Sequence, residues 1–429
     1  MLHNIEPEKH GAHGKEMADA VSTCVHCGFC LAVCPTYQEL GQEVDSPRGR
    51  IVLMKEVLEG KMEMEDALPH VDACLGCLAC EPACPSGVPY RDLISPFRAK
   101  AESERRRSLF SRFQRLLTQQ TLPYPGRFRI AAKSGRIAKW FAGCLPASMR
   151  VMLELLPDQL PAKQSWKEFN PATTRGSNPA RARVALLTGC AQSVLDPDIN
   201  TATIQVLNHC GVDVVVPSTQ GCCGALSWHV GNLKQAQKFA RQNLDAFPGD
   251  VDAIVTNAAG CGSGMDEYPL MLAGTSEEER AKAFSSQVCD VSVFLHRLGD
   301  LPEFPDSGAV STVAYHDACH LANAQGVKSE PRELLRRIPG VTLAEIADSH
   351  LCCGSAGTYN VDQPEVAAQL GQQKTKNVLA TNANLVATGN IGCMTQLKTH
   401  LAASDSPLPV LHTMQVLRDA YFGQGAFKA

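Results

Sequence analysis

The sequence predicts a multidomain protein of mixed α+β and α/β class, in which a mostly helical N-terminal module precedes two repeated α/β domains. Two observations carry this prediction. A four-cysteine motif occurs twice within residues 24–85, and a second cysteine pattern repeats across residues 181–429, where short apolar runs alternate with helical stretches. A chain of 429 residues is long enough for several such domains.

The motif C-x2-C-x2-C-x3-C-P is present at residues 24–35 (CVHCGFCLAVCP) and again at residues 74–85 (CLGCLACEPACP). Three cysteines spaced two residues apart wrap a short loop around three corners of an iron–sulfur cube, and in two-cluster ferredoxins the fourth ligates the other cluster. Zinc sites also use four cysteines, but typically from two separated C-x2-C knuckles. The motifs therefore predict a two-cluster ferredoxin-type module with two [4Fe–4S] clusters, whose ligand sets are Cys24, Cys27, Cys30 and Cys84 for the first and Cys74, Cys77, Cys80 and Cys34 for the second.

The insert between the two motifs contains SPRGRIVLMKEVLEG, which predicts a helix. Ser46 is a suitable N-cap, Pro47 falls in the first turn and Gly60 follows the end. Two basic residues at its start, Arg48 and Arg50, either contact a partner or a cluster edge, or are solvated basic residues of a helix start.

A basic connector follows the cysteine motifs. Between Arg98 and Lys139 there are twelve Lys or Arg residues and two acidic residues. The stretch SLFSRFQRLL looks helical with its apolar residues on one side, and Pro123, Pro125 and Gly126 interrupt the pattern. This region is either a docking surface for an acidic partner or anionic lipid, or an ordinary amphipathic helix pair packed on the cluster module. A loop at 170–180, rich in Pro, Ser and Asn, marks its end.

Composition narrows the class of protein. The formal net charge of -4 gives no reason to expect nucleic acid as a partner. The N-terminus is polar, without the apolar segment of a signal peptide, and no run of 18 apolar residues occurs. A cytoplasmic protein is expected, with peripheral attachment to the inner face of the cell membrane left open. The cytosol keeps thiols reduced, so the nineteen cysteines indicate metal or redox chemistry rather than disulfides.

The repeat begins with RVALLTGC in the first copy and STVAYHDACH in the second, and each copy continues through a paired-cysteine loop, GCCGA or LCCGSAG. Equivalent cysteines are offset by 129, 130 and 132 residues. Strands alternating with helices predict a parallel sheet in each copy, whose loops at the carboxyl ends of the strands build the sites. The candidate ligands are Cys190, Cys222, Cys223 and Cys261 in the first copy and Cys319, Cys352, Cys353 and Cys393 in the second.

A glycine follows each cysteine pair. Gly224 and Gly354 let the backbone turn tightly, so that adjacent thiols face one centre. One or two further iron–sulfur clusters in the two copies, or a dithiol redox site, are the functional interpretations. The alternative is that some of these cysteines only line a subunit interface.

Several histidines accompany these cysteines. His316 and His320 flank Cys319, and each is either a ligand or proton carrier, or a hydrogen-bonded loop residue, which we expect to be the commoner case. His229 and His350 are open to the same two interpretations.

This arrangement resembles the iron–sulfur subunits of membrane-linked flavin dehydrogenases, and most of all the glycolate oxidase (glycolate dehydrogenase) iron–sulfur subunits. The resemblance covers nearly the whole chain and rests on CVHCGFCLAVCPTY, residues 45–51, CPSGVPY, TGCAQ and DSHLCCGSAGTY. It implies a two-[4Fe–4S] ferredoxin-type domain at 1–97, a basic helical connector at 98–180, and cysteine-rich (CCG) domains at 181–305 and 306–429.

The chain also departs from the broader CCG pattern, which ends each copy in C-x2-C. Gly264 and Gln396 stand where the last cysteine of each copy would be, so four cysteines per copy remain. This departure weakens the interpretation that the domains reduce a disulfide and favours electron transfer.

The resemblance implies an iron–sulfur electron-transfer subunit of a flavin-dependent 2-hydroxyacid dehydrogenase. Partner subunits with FAD would oxidise glycolate to glyoxylate, and this chain would pass the electrons toward quinone or another membrane acceptor. The segment GCGSG lacks the spacing of a dinucleotide-binding fingerprint, so hydride chemistry is expected on the partner and no catalytic residue on this chain, which would not oxidise substrate alone. The alternative is a heterodisulfide-reductase-like or glycerol-3-phosphate dehydrogenase iron–sulfur subunit.

Overall fold

The structure is a computed structural model, and it describes residues 1–144, 146–173, 179–404 and 406–427. The N-terminal module is helical, as predicted. Its helices are α1 (Gly14–Thr23), α2 (Pro35–Leu40), α3 (Pro47–Leu58), α4 (Met64–Asp72) and α5 (Arg91–Glu104).

Helix α3 is the helix predicted from the insert. Ser46 caps it, because its side chain accepts a hydrogen bond from the Gly49 backbone N–H at 3.0 Å, and Pro47 opens the first turn. Gly60 follows the end of the helix with a φ of +70°. Apolar residues of α1, α3, α4 and α5 form one core, with Val21, Met54, Val71 and Phe97 fully buried.

The connector contains α6 (Leu109–Thr121), α7 (Pro125–Ala138) and α8 (Ala147–Glu154). The helical pattern is interrupted between α6 and α7, at the prolines predicted to interrupt it, and Pro125 begins α7. The first residue of a helix needs no backbone N–H for an intrahelical hydrogen bond, so proline fits there. Part of the loop predicted at 170–180, residues 174–178, lies outside the described residues.

The first copy of the repeat is a five-stranded sheet with the order β1-β3-β2-β4-β5. The strands are β1 (Phe169–Asn170), β2 (Ala182–Leu187), β3 (Val212–Val215), β4 (Ala253–Thr256) and β5 (Val288–Asp290). All pairings are parallel except that of β1 with β3. The helices are α9 (Gln192–Leu195), α10 (Asp198–His209), α11 (Ala225–His229), α12 (Leu233–Ala246), α13 (Ala259–Asp266), α14 (Tyr268–Met271), α15 (Glu278–Ser285) and α16 (Val291–Leu298).

The second copy is a four-stranded parallel sheet with the order β7-β6-β8-β9. The strands are β6 (Ser311–His316), β7 (Val341–Glu345), β8 (Leu385–Thr388) and β9 (Val410–His412). The helices are α17 (Ser329–Arg336), α18 (Tyr359–Asp362), α19 (Pro364–Leu379), α20 (Ile391–Ala402) and α21 (Thr413–Phe422). The predicted parallel sheet in each copy is confirmed.

The two copies share one apolar core. It joins residues of both sheets, such as Val184 and Val313, to residues of α10 and α21, which pack against each other. Buried apolar surface therefore fixes the two repeat copies relative to each other, so they are not independent domains joined only by a linker. Among the described helices, none has both the length and the apolar character needed to cross a lipid bilayer.

Candidate iron–sulfur sites

The first three cysteines of the first motif meet the last cysteine of the second. A small cavity of about 30 Å³ is lined by Cys24, Cys27, Cys30, Cys84 and Cys80. The loop from which the first three come begins where α1 ends, with Cys24 as the C-cap residue. The chain therefore brings together the four thiols expected for the first cluster.

The remaining cysteines of the two motifs form a second group. Burial raises the pKa of Cys80 well above its ordinary value, and the neighbouring thiols of Cys77, Cys74 and Cys34 raise it further. The last cysteine of the first motif thus lies with the first three of the second. This proximity of Cys34 to the second motif supports the crossed ligand sets of the ferredoxin rule, which stay a prediction.

Each group is also approached by an arginine from the start of α3. Arg48 lines the first cavity, and its Nη1 donates a hydrogen bond to the His26 carbonyl oxygen at 3.0 Å. Arg50 is buried, and its Nη1 lies 3.9 Å from Cys34 Sγ. Of the two interpretations left open by the sequence, contact with the cluster edges is the one that the structure favours.

Arg50 is the principal buried positive charge of the second group. Its Nε donates a hydrogen bond to the His70 carbonyl oxygen at 2.6 Å, and its Nη2 lies 3.5 Å from Asp45 Oδ1. Burial acts to raise the pKa of Cys74, but the positive charges of Arg50 and Arg98 outweigh burial and leave that pKa below its ordinary value. The thiolate of Cys74, the form that binds metal, is therefore favoured.

The first repeat copy gathers its four cysteines at the carboxyl end of the sheet. The Sγ atoms of Cys190 and Cys222 are 3.4 Å apart, and Cys223 contacts both Cys222 and Cys261. Gly224 has a φ of +84°, and its backbone N–H donates to Cys222 Sγ at 3.5 Å. The glycine therefore makes the tight turn predicted for it.

The second copy repeats this arrangement. Cys352 contacts Cys319 and Cys353, and Cys353 contacts Cys393. The thiols of Cys352 and Cys393 hold the pKa of Cys353 well below its ordinary value. Gly354 has a φ of +86°, so this turn too has the predicted backbone conformation.

The four histidines have different environments. His320 Nδ1 lies 2.9 Å from Ser263 Oγ, His229 Nε2 lies 3.6 Å from Glu267 Oε1, and His350 is exposed. His316 is the last residue of β6, so the expectation of a loop residue is wrong; the Cys353 thiol is the hydrogen-bonding group beside its ring, and the ring has no nitrogen or oxygen partner among the described residues.

The donor chemistry of all four groups fits iron–sulfur centres. Each group offers four thiols, and soft thiolate ligands select Zn²⁺, Cu⁺ or iron–sulfur clusters over hard cations. Two complete C-x2-C-x2-C-x3-C-P loops distinguish iron–sulfur from zinc in the N-terminal module.

The second ferredoxin-type group adjoins the second repeat copy. Cys77 and Cys319 lie close enough that their charges interact, and both belong to one apolar cluster. Asn323 Nδ2 donates a hydrogen bond to the Cys77 carbonyl oxygen at 3.1 Å, and Tyr359 donates to the Ala73 carbonyl oxygen at 3.1 Å. These contacts hold the two thiol groups side by side.

A cavity of about 750 Å³ lies between the N-terminal module, α6 and both repeat copies. This volume is in the range of small-molecule sites, roughly 300–1,000 Å³. Thiols from three of the four groups line it: Cys74, Cys190, Cys222, Cys223, Cys261 and Cys319.

Residues 20–88 match the family described as "4Fe-4S dicluster domain", and residues 184–266 and 313–398 match the family described as "Cysteine-rich domain". The "Probable glycolate oxidase iron-sulfur subunit" of Bacillus subtilis is 38% identical, over 87% of this chain and 88% of that one. The "Glycolate oxidase iron-sulfur subunit" of Escherichia coli is 36% identical, over 97% of this chain and 98% of that one. This chain belongs to the family of glycolate oxidase iron–sulfur subunits.

As a member of the glycolate oxidase iron–sulfur subunit family, the chain is an iron–sulfur electron-transfer subunit of an oxidoreductase complex that includes a dehydrogenase subunit. A more distant relative is one of the subunits of the "Fumarate reductase (CoM/CoB)" of Methanothermobacter marburgensis, 28% identical over 93% of this chain and 72% of that one.

Sequence reasoning missed two features of the site. Lys374 is buried and its charge interacts with Cys353 and Cys352, but a lysine in the middle of a helix gives no signal in the sequence. The contact between Cys77 and Cys319 depends on how separate domains pack, and no local pattern reports that.

Proposed function

We propose that this chain carries electrons from FAD on partner subunits, which oxidise glycolate to glyoxylate, toward quinone or another membrane acceptor. One observation carries the proposal: thiol groups extend from the exposed Cys27 through the buried second group to Cys319. Bound iron–sulfur clusters supply one-electron steps, which a two-electron flavin donor needs for transfer to a separate acceptor. The names of the relatives support glycolate as the substrate of the complex.

We further propose two [4Fe–4S] clusters in the ferredoxin-type module and one iron–sulfur centre in each repeat copy. The close thiol contacts support a centre in each copy, as does the paired-cysteine turn at Gly224 and Gly354. The anaerobically purified chain should then contain about sixteen irons, whereas about eight would leave only the two cubanes.

Electron entry is proposed at the loop of the first motif. Cys27 is exposed there, and two large apolar side chains beside it, Val25 and Phe29, are 64% and 66% exposed. Exposed apolar residues next to a redox centre suit a partner that must approach closely. The dehydrogenase subunit is the proposed partner at this loop.

Peripheral attachment to the inner membrane face is proposed through the connector. On α6, Leu109, Phe113 and Leu116 are exposed at helical spacing, and Ile130 and Ile137 are exposed on α7. Apolar side chains surrounded by basic ones suit a surface of anionic lipid. Exposed basic residues of these helices and the preceding turn are Arg106, Arg112, Arg127, Lys133 and Arg136.

The exposed surface of α6 adjoins the exposed surface of α7. Gln120 on α6 and Arg127 on α7 are both exposed, and Arg127 Nη1 donates a hydrogen bond to Gln120 Oε1 at 3.0 Å.

Sedimentation with phosphatidylglycerol-containing vesicles tests this surface: Phe113→Ser should reduce binding several-fold. Val310→Ser, which changes an even more exposed apolar residue elsewhere, should leave the binding unchanged.

The central experiment is anaerobic affinity purification of the tagged chain from its own cell. Glycolate, D-lactate, L-lactate and glycerol 3-phosphate are added in turn while the cluster absorbance is followed. Bleaching by glycolate is expected. If another substrate bleaches the clusters, the electron-transfer role stands and the proposed substrate is wrong. A preparation that contains no flavoprotein and is not bleached by any of the four compounds would contradict the proposal.

A second candidate function is suggested by the large cavity, because thiols of both repeat copies line it and it has room for a small substrate. In this alternative, the repeat copies reduce a disulfide or another small molecule, as in a heterodisulfide reductase. Thiol-dependent turnover by the purified chain alone would favour it over electron transfer.

A further inference from the structure

The inference concerns His316, whose environment is unusual for a histidine. Its side chain is only 1% exposed, and among the described residues neither Nδ1 nor Nε2 has a nitrogen or oxygen partner; the Cys353 thiol is the hydrogen-bonding group beside the ring. A buried polar group with few partners destabilises the folded chain. A ring nitrogen whose neighbours are thiols is placed to share a metal ion with them.

The ring lies against the thiols of the second repeat copy. A ring nitrogen of His316 and the Sγ atoms of Cys353 and Cys393 all lie within 4.8 Å of one another. Ligands at about 2.0–2.3 Å from one metal ion are separated by distances compatible with this spacing. All three side chains are buried, so solvent does not compete for the position between them.

Among the described residues, no imidazole of the first copy joins two of its thiols in this way, although His229 lies near enough to Cys223 for their charges to interact. Leu187 is the last residue of β2 and stands three residues before Cys190, as His316 is the last residue of β6 and stands three residues before Cys319. The repeat therefore places an apolar side chain in one copy where the other has a metal-binding side chain.

A second difference points the same way. Gly224 packs against the Ala236 carbonyl and Gly354 against the Ala367 carbonyl. Seven residues beyond each alanine, the first copy has Asn243 and the second has Lys374. The second copy thus combines an imidazole and a buried ammonium group where the first has two uncharged side chains.

We propose that His316 is a metal ligand, through a ring nitrogen, of the iron–sulfur centre in the second repeat copy. That copy then offers five donors, four thiolates and one imidazole, whereas the first offers four thiolates. The imidazole occupies a part of the ligand shell that the missing last cysteine of the CCG pattern leaves to another residue. The proposal rests on the presence of an iron–sulfur centre in this copy and not on glycolate as substrate.

A consequence is that the two repeat copies differ in reduction potential. An imidazole ligand is neutral where a thiolate is negative, and iron–sulfur centres with histidine ligands have higher potentials than all-cysteine ones. The positive charge of Lys374 near Cys352 and Cys353 acts in the same direction. The centre of the second copy should therefore be reduced before that of the first.

The test uses the full-length chain, labelled with ¹⁵N-histidine and purified anaerobically. Electron spin-echo and double-resonance spectra of the reduced chain should contain one strongly coupled histidine nitrogen. His316→Leu, which installs the residue of the first copy, should remove this coupling and lower the potential of one centre. The control His400→Gln, in a half-buried histidine near the same thiols, should keep the coupling.

Two results would overturn the proposal and are distinguishable. A chain with its full iron content but without a strongly coupled histidine nitrogen, or with the coupling retained in His316→Leu, rules out His316 as a ligand. An iron content of about eight removes the centre itself and with it the proposal for the repeat copies. If His316→Leu does not fold, the spectrum of the labelled wild-type chain still decides between ligation and its absence.

Discussion

Cys77 of the second ferredoxin-type motif lies beside Cys319 of the second repeat copy, although they belong to different domains. The hydrogen bond from Asn323 to the Cys77 carbonyl oxygen and the apolar residues around both thiols fix this relationship. The second repeat copy therefore places a thiol within charge-interaction range of the ferredoxin-type module, and Cys74 of that module lines the large cavity together with thiols of both copies.

Loss of one ligand of the first cluster, which lies at the proposed site of electron entry, should stop electron transfer through this chain. Cys27→Ser is expected to lower the iron content by about four atoms per chain and to stop quinone reduction, because a cubane needs all four ligands. Glycolate oxidation by the flavin subunit with an artificial dye should persist. Cys289→Ser, in a cysteine outside the four groups, is the control, and normal quinone reduction by Cys27→Ser would contradict the model.

Removal of the buried arginine should destabilise the second group. Arg50→Gln leaves Asp45 and the thiolates without their buried positive charge, and breaking such a pair costs about 3–5 kcal/mol. The variant should lose iron more readily on dilution and show a lower potential for one cluster in a redox titration. Arg48→Gln, in a more exposed arginine of the same helix, should have a smaller effect on both quantities. Equal effects of the two changes would disprove the role given to Arg50.

The two glycines after the cysteine pairs should differ in their tolerance of a side chain. A Cβ at residue 354 would lie 2.5 Å from the Ala367 carbonyl oxygen, whereas one at residue 224 would lie 3.2 Å from the Ala236 carbonyl oxygen. Both substitutions also strain a positive φ. Gly354→Ala should therefore lose more iron and more thermal stability than Gly224→Ala, as measured by iron analysis and unfolding midpoints. A larger loss in Gly224→Ala than in Gly354→Ala would mean that the close contact of residue 354 with α19 does not determine how well a side chain is tolerated.

A pH dependence is expected from a buried carboxyl group outside the metal sites. Burial raises the pKa of Asp266 from 3.8 to about 7. The folded chain therefore binds this proton more tightly than the unfolded chain, so stability falls as the pH rises from about 4 through 7. Asp266→Asn should raise the unfolding midpoint more at pH 8 than at pH 6. Asp245→Asn, in an exposed carboxyl group, should give no such difference, and an equal gain at both pH values would contradict the assignment.

The sequence by itself determined the class of chemistry. The spacing of Cys24, Cys27 and Cys30 follows from the geometry of a cube that a short loop must wrap, and local geometry of this kind is readable from a single stretch of chain. The parallel sheets and the turns at Gly224 and Gly354 were predictable for the same reason, because strand patterns and positive φ angles are local properties.

What surrounds these groups depends on tertiary packing. The burial of Arg50, the proximity of Cys77 to Cys319 and the position of His316 against Cys353 each depend on residues distant in sequence that meet in the fold. His316 shows the difference most clearly, since the sequence favoured a loop residue and the fold places it at the end of a buried strand beside a thiol. The sequence around a residue predicts its backbone conformation. Its tertiary contacts depend on the apolar core, which brings segments distant in sequence together.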